Sequence, residues 1–278
     1  MDFPEFPPVP RKLVSALGVD TSYYEAGQPD GRPVIMLHGM STSADSFREA
    51  MHLLGKTNWV IAPDIPGFGY SGDIAPYTIA HLVEWLAGFV AALALPSVAL
   101  VGHSFGGVLA AAFAASYPED VTRLLLVAPA LFSAESYPSL VKKVGISMGL
   151  VDLGSAVSQS RIWVKRQIKT PFFNSDVLPD SLWERRLHDY ELARASADVL
   201  KTTAFFELRP YLAKLSHPIA LVWGENDNVV PIRDGEALEQ LLPRAKLHRF
   251  PQCGHAPMLE HPYQFHAIAF QFLTADLP

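Results

Sequence analysis

Six short strand-like runs in this chain, five of them largely apolar, each end in a glycine-rich or polar loop, and helical patterns intervene between them. Val34 to Leu37 runs into His38-Gly39-Met40, and Asn58 to Ala62 into Asp64-Ile65-Pro66-Gly67-Phe68-Gly69. Val98 to Val101 runs into Gly102-His103-Ser104-Phe105-Gly106-Gly107, and Leu124 to Val127 into Ala128-Pro129-Ala130. Ile219 to Trp223 runs into Gly224-Glu225-Asn226-Asp227, and Lys246 to Phe250 into Gln252-Cys253-Gly254-His255. Runs that are apolar throughout, rather than alternating, suit strands covered on both faces. Their alternation with helices implies an α/β fold with a doubly wound, mostly parallel sheet. Ligands of such sheets bind beyond the carboxyl ends of the strands, and every loop named above lies at such an end.

The rhythm fails between residues 131 and 217. That interval lacks a buried strand pattern but carries helical ones, notably Leu182 to Val199, together with Trp163, Phe172, Phe173, Trp183, Phe205 and Phe206. It reads as a helical cap, 131–217, inserted in a core made of 1–130 and 218–278. Packing helices remote from any site are the alternative.

Composition narrows the function classes. The 278 residues are 49% hydrophobic and 18% charged, enough apolar material for one large core. A formal net charge of −6 argues against nucleic acid and anionic membrane as partners. The densest basic stretch, Trp163 to Lys169, suits a solvated helix face. No charged residue occurs between Glu84 and Glu119, but Pro96 interrupts that stretch. Ala80 to Leu95 reads as a helix, Ser97 to Gly102 as a strand and Phe105 to Ser116 as an alanine-rich helix, so no integral membrane segment is expected. Met1 to Pro10 is acidic and proline-rich, without the basic start and apolar run of a signal peptide, and cytoplasmic residence is the default expectation. Cys253 is the only cysteine, which excludes an intrachain disulfide.

Gly102-His103-Ser104-Phe105-Gly106 matches G-x-S-x-G, with a strand before it and a small-residue helix after it. In that context the serine occupies a strained strand-to-helix turn that projects its hydroxyl, and the flanking glycines relieve the crowding. A serine hydroxyl needs a base to become nucleophilic. Of the ten histidines, His255 lies on a loop after a late strand. His52, His81, His188 and His266 fall in helical patterns, His261 at a turn or helix start beside Pro262, and His217 and His248 beside strands. The base in turn needs an acid to hold its tautomer. Asp227, past the strand Ile219 to Trp223, is the candidate, with Glu225 the fallback. The order Ser104, Asp227, His255 is the chain order of the α/β nucleophile-elbow arrangement. A tetrahedral intermediate would need two oxyanion donors. The backbone N–H of Phe105 is one candidate, and the N–H of Met40 the other, although His38-Gly39 is also readable as a plain turn.

Asp64 belongs to a loop of aspartate, proline and glycine and reads as structural. Cys253 lacks elbow geometry. No spacing of histidines and carboxylates suggests a metal, and no phosphate loop opens an early helix, so no cofactor is expected.

These motifs together resemble the α/β-hydrolase superfamily over nearly the whole chain. His38-Gly39-Met40 looks like its oxyanion loop, Gly102 to Gly107 like its elbow, Asp227 like its acid and His255 like its base. Asp64 to Ser71 resembles a loop of the capped, single-domain branch. Haloalkane dehalogenases and epoxide hydrolases carry aspartate where this chain has Ser104. Iminopeptidase-like members carry a glycine-proline-rich loop unlike Met40-Ser41-Thr42. Carbon–carbon bond hydrolases of ring-cleavage products often carry methionine and tryptophan where this chain has Phe105 and Ala256. The resemblance therefore implies a carboxylesterase acting on a small-molecule ester with a small or medium apolar group. A carbon–carbon bond hydrolase, a perhydrolase-like esterase, and a ligand receptor that retains the triad are the alternatives.

Overall fold

The described residues of the computed structural model are 6–130, 161–203 and 206–275. They contain an eight-stranded sheet in the order β1-β2-β4-β3-β5-β6-β7-β8. Its strands are β1 (Arg11–Ala16), β2 (Val19–Ala26), β3 (Arg32–Leu37), β4 (Asn58–Pro63), β5 (Val98–His103), β6 (Val121–Val127), β7 (Ile219–Gly224) and β8 (Ala245–Phe250). From β4 to β8 all neighbours run parallel. The first two strands form an antiparallel hairpin whose second strand pairs antiparallel with β4. The apolar runs do not announce this hairpin. Of the six residues of β1, only Ala16 is buried, so an exposed edge strand leaves little hydrophobic signal.

Pleating divides the buried strand residues between two cores, because successive side chains point to opposite faces. Ile35, Leu37, Leu100, Leu124, Leu126 and Leu221 face one side. There they meet helices α2 (Ile79–Ala92) and α3 (Phe105–Ser116). Leu82, Trp85, Leu86 and Phe89 of α2 recur at the three- and four-residue spacing that makes one apolar helix face. Val34, Met36, Val101, Leu125 and Val222 face the other side. That side is covered by α1 (Arg48–Leu54) and by a C-terminal helix, Pro262–Thr274. Helix α3 is buried from Phe105 to Ala114, and its glycines and alanines let it lie close against the sheet.

Between β6 and β7 the described residues carry no strand. They form α4 (Arg161–Lys169), α5 (Asp180–Glu191), α6 (Ser196–Thr203) and the short α7 (Arg209–Leu212). The pattern read as one helix from Leu182 to Val199 is two, α5 and α6. The break is tertiary: Ala195 N–H donates to Gly67 O at 3.0 Å, which diverts the chain onto the core. Residues 131–160 of the expected cap lie outside the described residues, as do the Trp163 and Phe205 side chains. After β7 follow α8 (Ile232–Leu241), α9 (Pro257–Glu260) and α10, the C-terminal helix already given. No helix among the described residues is long and apolar enough to cross a membrane.

Helix α5 is fixed to the core through charge rather than through apolar contact alone. Arg185 pairs with Glu49 at 2.8 Å and reaches Asp45 at 3.4 Å, while Arg48 holds Asp45 at 2.7 Å. Ser43 Oγ donates to Asp189, which also pairs with Arg186 at 3.5 Å. Glu49 is only 2% exposed, and burial pushes its carboxyl up while Arg185 opposes that rise. Removing one partner of a buried pair strands the other charge. Arg185→Ala should therefore cost about 3 kcal/mol in urea unfolding, and a companion Glu49→Leu should recover most of it. A loss below about 1 kcal/mol would mean that water already screens the pair.

Candidate functional site

Ser104 stands between β5 and α3 with φ 52° and ψ −115°, a left-handed backbone that costs a non-glycine residue about 1–3 kcal/mol. The strain is held from both sides. Ser104 N–H donates to Val127 O at 2.9 Å, and Ser104 O accepts from Gly107 N–H at 3.0 Å. The expected role of the glycines is visible as close approach: a Cβ on Gly106 would stand 2.1 Å from Leu37 O, and one on Gly102 2.5 Å from Gly106 O. The turn leaves Ser104 half-buried in an otherwise buried surround.

The loop after β3 packs directly against this turn. A Cβ on Gly39 would lie 3.3 Å from Ser104 Cβ and 3.1 Å from His103 Nδ1. Its orientation is set by His38, the first residue of the loop His38-Gly39-Met40. Ile65 N–H donates to His38 Nε2 at 2.9 Å, so that nitrogen is the unprotonated one. Nδ1 therefore carries the hydrogen and donates to Gly39 O at 2.8 Å, beside a second donor to that carbonyl, Thr42 Oγ1, at 2.9 Å. Because Gly39 C=O and Met40 N–H share one planar peptide, pinning the carbonyl also fixes the direction of the Met40 N–H. Phe105 opens α3, so its N–H is one of the first-turn donors that a helix leaves without an internal acceptor.

Asp227 and His255 are brought together from the ends of β7 and β8. His255 Nδ1 donates to Asp227 Oδ2 at 2.6 Å. The other carboxylate oxygen accepts from Val229 and Val230 N–H at 2.8 and 2.9 Å. Those bonds hold the carboxylate plane and leave His255 Nε2 as the free acceptor. Glu225, the fallback, is exposed, and its N–H donates to Phe250 O. The His255 backbone is fixed as well: its N–H donates to Pro171 O at 2.6 Å, and its carbonyl accepts from His103 Nε2 at 2.8 Å. Since His103 immediately precedes Ser104, this bond ties the base loop to the serine turn, and the two imidazoles lie 4.8 Å apart. Burial first, and His255 second, hold His103 well below the usual histidine range, so it stays neutral.

The remaining candidates fall to structural roles. Asp64 accepts from Ala44 N–H at 2.9 Å and Tyr70 N–H at 3.0 Å, bracing the loops after β3 and β4. Cys253 is buried, and burial raises its thiol far from the reactive range. His248 lies within β8 rather than beside it. No group of three or more His, Cys, Asp or Glu among the described residues could hold a metal ion. The structure brings together a carboxylate-paired imidazole, His255, and a loop tied through His103 to the turn that carries the Ser104 hydroxyl, a set of groups suited to nucleophilic chemistry.

Residues 32–262 match the family model described as alpha/beta hydrolase fold. The chain is 30% identical over 282 residues to a 2-hydroxymuconate semialdehyde hydrolase of Pseudomonas sp. (strain CF600), spanning 96% of this chain and 95% of that one. It is 26% identical over 253 residues to Lipase 3 of Moraxella sp. (strain TA144), covering 90% and 80% of the two chains. Among solved structures it is similar to a serine hydrolase involved in carbazole degradation, the CarC enzyme. That match has a TM-score of 0.81 and 25% identity and covers 96% and 99% of the two chains.

Burial lowers His38 from 6.5 to about 4, so between those values the unfolded chain binds a proton that the folded one excludes. Stability contributed at neutral pH is then lost as the pH falls through this window, on the order of 3 kcal/mol for a shift of this size. Urea unfolding of His38→Gln should show a correspondingly shallower loss between pH 7 and 4 than the unsubstituted protein. Equal slopes would mean that His38 is protonated in the fold.

Proposed function

The chain belongs to the alpha/beta hydrolase fold family, and on that premise we propose that it is a serine hydrolase cleaving carboxylic esters. The observation that carries this reading is the 2.6 Å bond from His255 Nδ1 to Asp227 Oδ2, made by a loop that His103 ties to the Ser104 turn. Ser104 Oγ attacks the ester carbonyl as His255 Nε2 takes its proton. Asp227 keeps the hydrogen on Nδ1 and stabilises the imidazolium that forms. Met40 and Phe105 N–H groups stabilise the oxyanion; the hydrogen bonds of His38 and Thr42 to Gly39 O and the position of Phe105 at the start of α3 support this reading. The imidazolium protonates the departing alkoxide. Water, activated by the same nitrogen, then releases the acid and restores Ser104.

We assign 131–217 to a cap that selects a small or medium apolar ester, and 1–130 and 218–278 to the core; of the cap, the described residues are 161–203 and 206–217. What supports a cap is the way α5 and α6 lie against the loops after β3 and β4, through Asp189 to Ser43, Ser196 Oγ to Ser41 Oγ and Ala195 to Gly67.

A second reading, carbon–carbon bond hydrolysis, is favoured by the names of relatives that match at 30% identity. These include a 2-hydroxy-6-oxo-2,4-heptadienoate hydrolase of Pseudomonas putida (strain ATCC 700007 / DSM 6899 / JCM 31910 / BCRC 17059 / LMG 24140 / F1). Arg186 Nε, buried without a hydrogen-bond partner, is a donor that a dienoate carboxylate could use. Two features weigh toward the ester. Arg186 is already paired with Asp189, and cleavage of a carbon–carbon bond requires a proton delivered to carbon. The imidazole next to His255, that of His103, is neutral and gives its one N–H to the His255 carbonyl.

Turnover of p-nitrophenyl butyrate should exceed that of a 2-hydroxy-6-oxo-dienoate at least tenfold in kcat/KM, and the reverse ranking would establish the second reading. Ser104→Ala should lower kcat on the better substrate by at least about 10,000-fold with unfolding behaviour unchanged. Undiminished turnover would remove Ser104 from the chemistry.

A further inference from the structure

The loop that carries His255 returns on itself. Gly254 and His255 follow β8, Ala256 caps α9, and that single helical turn ends at Glu260, whose N–H donates to Ala256 O at 2.9 Å. One turn of helix is enough to bring the Glu260 carboxylate back to the start of the loop, where Oε1 accepts from Gly254 N–H at 2.9 Å. The other oxygen does something different. Oε2 accepts at 2.8 Å from Phe173 N–H, 87 residues away, in the segment between α4 and α5. Burial raises the Glu260 carboxyl, while the N–H groups of Phe173, Gly254 and Ala256 oppose that rise by favouring the anion.

The same segment lies against both site loops. Pro171 O accepts from His255 N–H at 2.6 Å, and Thr170 O accepts from Asn228 Nδ2, beside Asp227, at 2.9 Å. The approach is close enough that a Cβ on Gly254 would stand 2.2 Å from Pro171 O and 2.8 Å from Phe173 N. Asp227 sets the tautomer of His255 and the direction of its ring, and His103 holds its carbonyl. Neither of those bonds reaches the segment above the loop. The direct His255 N–H to Pro171 O bond ties loop to segment at one point, and the planar Glu260 carboxylate adds a second tie, from Gly254 N–H to Phe173 N–H.

We propose that Glu260 is a positioning residue for the base: by bridging Gly254 N–H and Phe173 N–H, its carboxylate sets where the His255 imidazole stands relative to Ser104. It thereby couples that position to the segment between α4 and α5. This inference rests on the assignment of His255 as the base for Ser104. Glu260 touches no reacting atom; it acts through the peptide that precedes His255. Hydrogen bonds to a charged acceptor are about twice as strong as neutral ones, which suits a group that must hold two backbones in register. A displacement of about 1 Å in a reacting group can cost about a hundredfold in rate.

The test uses the full chain and a fluorophosphonate probe. Its labelling end point counts competent sites, and its second-order rate constant reports activation of Ser104 independently of which substrate is natural. Glu260→Gln keeps one acceptor oxygen and turns an amide N–H toward the other donor, so labelling per competent site should slow about tenfold. Glu260→Ala should slow it about a hundredfold. Glu260→Gln should keep a Tm within a few degrees of the unsubstituted protein, so that its slower labelling does not reflect unfolding. Unchanged rate constants per labelled site in Glu260→Gln, with only a lower Tm, would make Glu260 a structural residue and overturn the proposal alone. Failure of the unsubstituted protein to label at Ser104 would overturn it together with the assignment of His255 as the base.

Discussion

The left-handed turn at Ser104 is the constraint on which the rest of the site depends. A backbone in that region returns to a relaxed conformation unless both flanks are immobile. Here β5 is buried along its whole length between β3 and β6, and α3 is buried through most of its length. The contact of Gly106 with the β3 carbonyl at Leu37 leaves no room for the helix to slide. The core therefore holds the turn, and the turn projects the hydroxyl. A core that supplied the same apolar area with looser packing would stabilise the chain comparably and still lose that geometry.

Three buried histidines surround this turn, and their environments divide the labour among them. His38 and His103 are kept neutral by burial and use their ring nitrogens on backbone groups, one aligning the Gly39 peptide and the other holding the His255 carbonyl. His255 is the one paired with a carboxylate, through its Nδ1. The roles follow from partner chemistry: a carbonyl or a carboxylate that accepts from one ring nitrogen fixes the tautomer of that ring.

The helices between β6 and β7 meet the core along two seams of different character. On the side of β3 and β4 charged side chains lead, with Arg185 on Asp45 and Glu49 and Asp189 on Ser43, beside the Ser196–Ser41 and Ala195–Gly67 hydrogen bonds. On the side of β7 and β8 they are backbone hydrogen bonds gathered by Glu260 and Asn228. Buried charge pairs contribute little net stability, because desolvation offsets their attraction, but a misplaced charge is costly. Such a seam fixes one placement of α5 more than it adds to the free energy of folding.

The sequence by itself determined the fold class and offered the candidate site residues whose chemistry is local. Strands buried on both faces must be apolar throughout, and a strained serine turn must be flanked by glycine, so both could be read as runs and spacings of single residues. The order Ser104, Asp227, His255 suits either Asp227 or Glu225 as the acid; in the structure it is Asp227 whose carboxylate accepts from His255 Nδ1. Tertiary structure decided what depends on contacts distant in the chain. The β1–β2 hairpin leaves a weak apolar signal because it lies at the sheet edge. The helix expected from Leu182 to Val199 breaks because Ala195 finds Gly67. His38, His103 and Glu260 carry no pattern of their own. Each acts through a hydrogen bond whose partner is assigned only when strands brought together by the sheet end at the same edge. A residue's type records which bonds it can make; only packing records with whom.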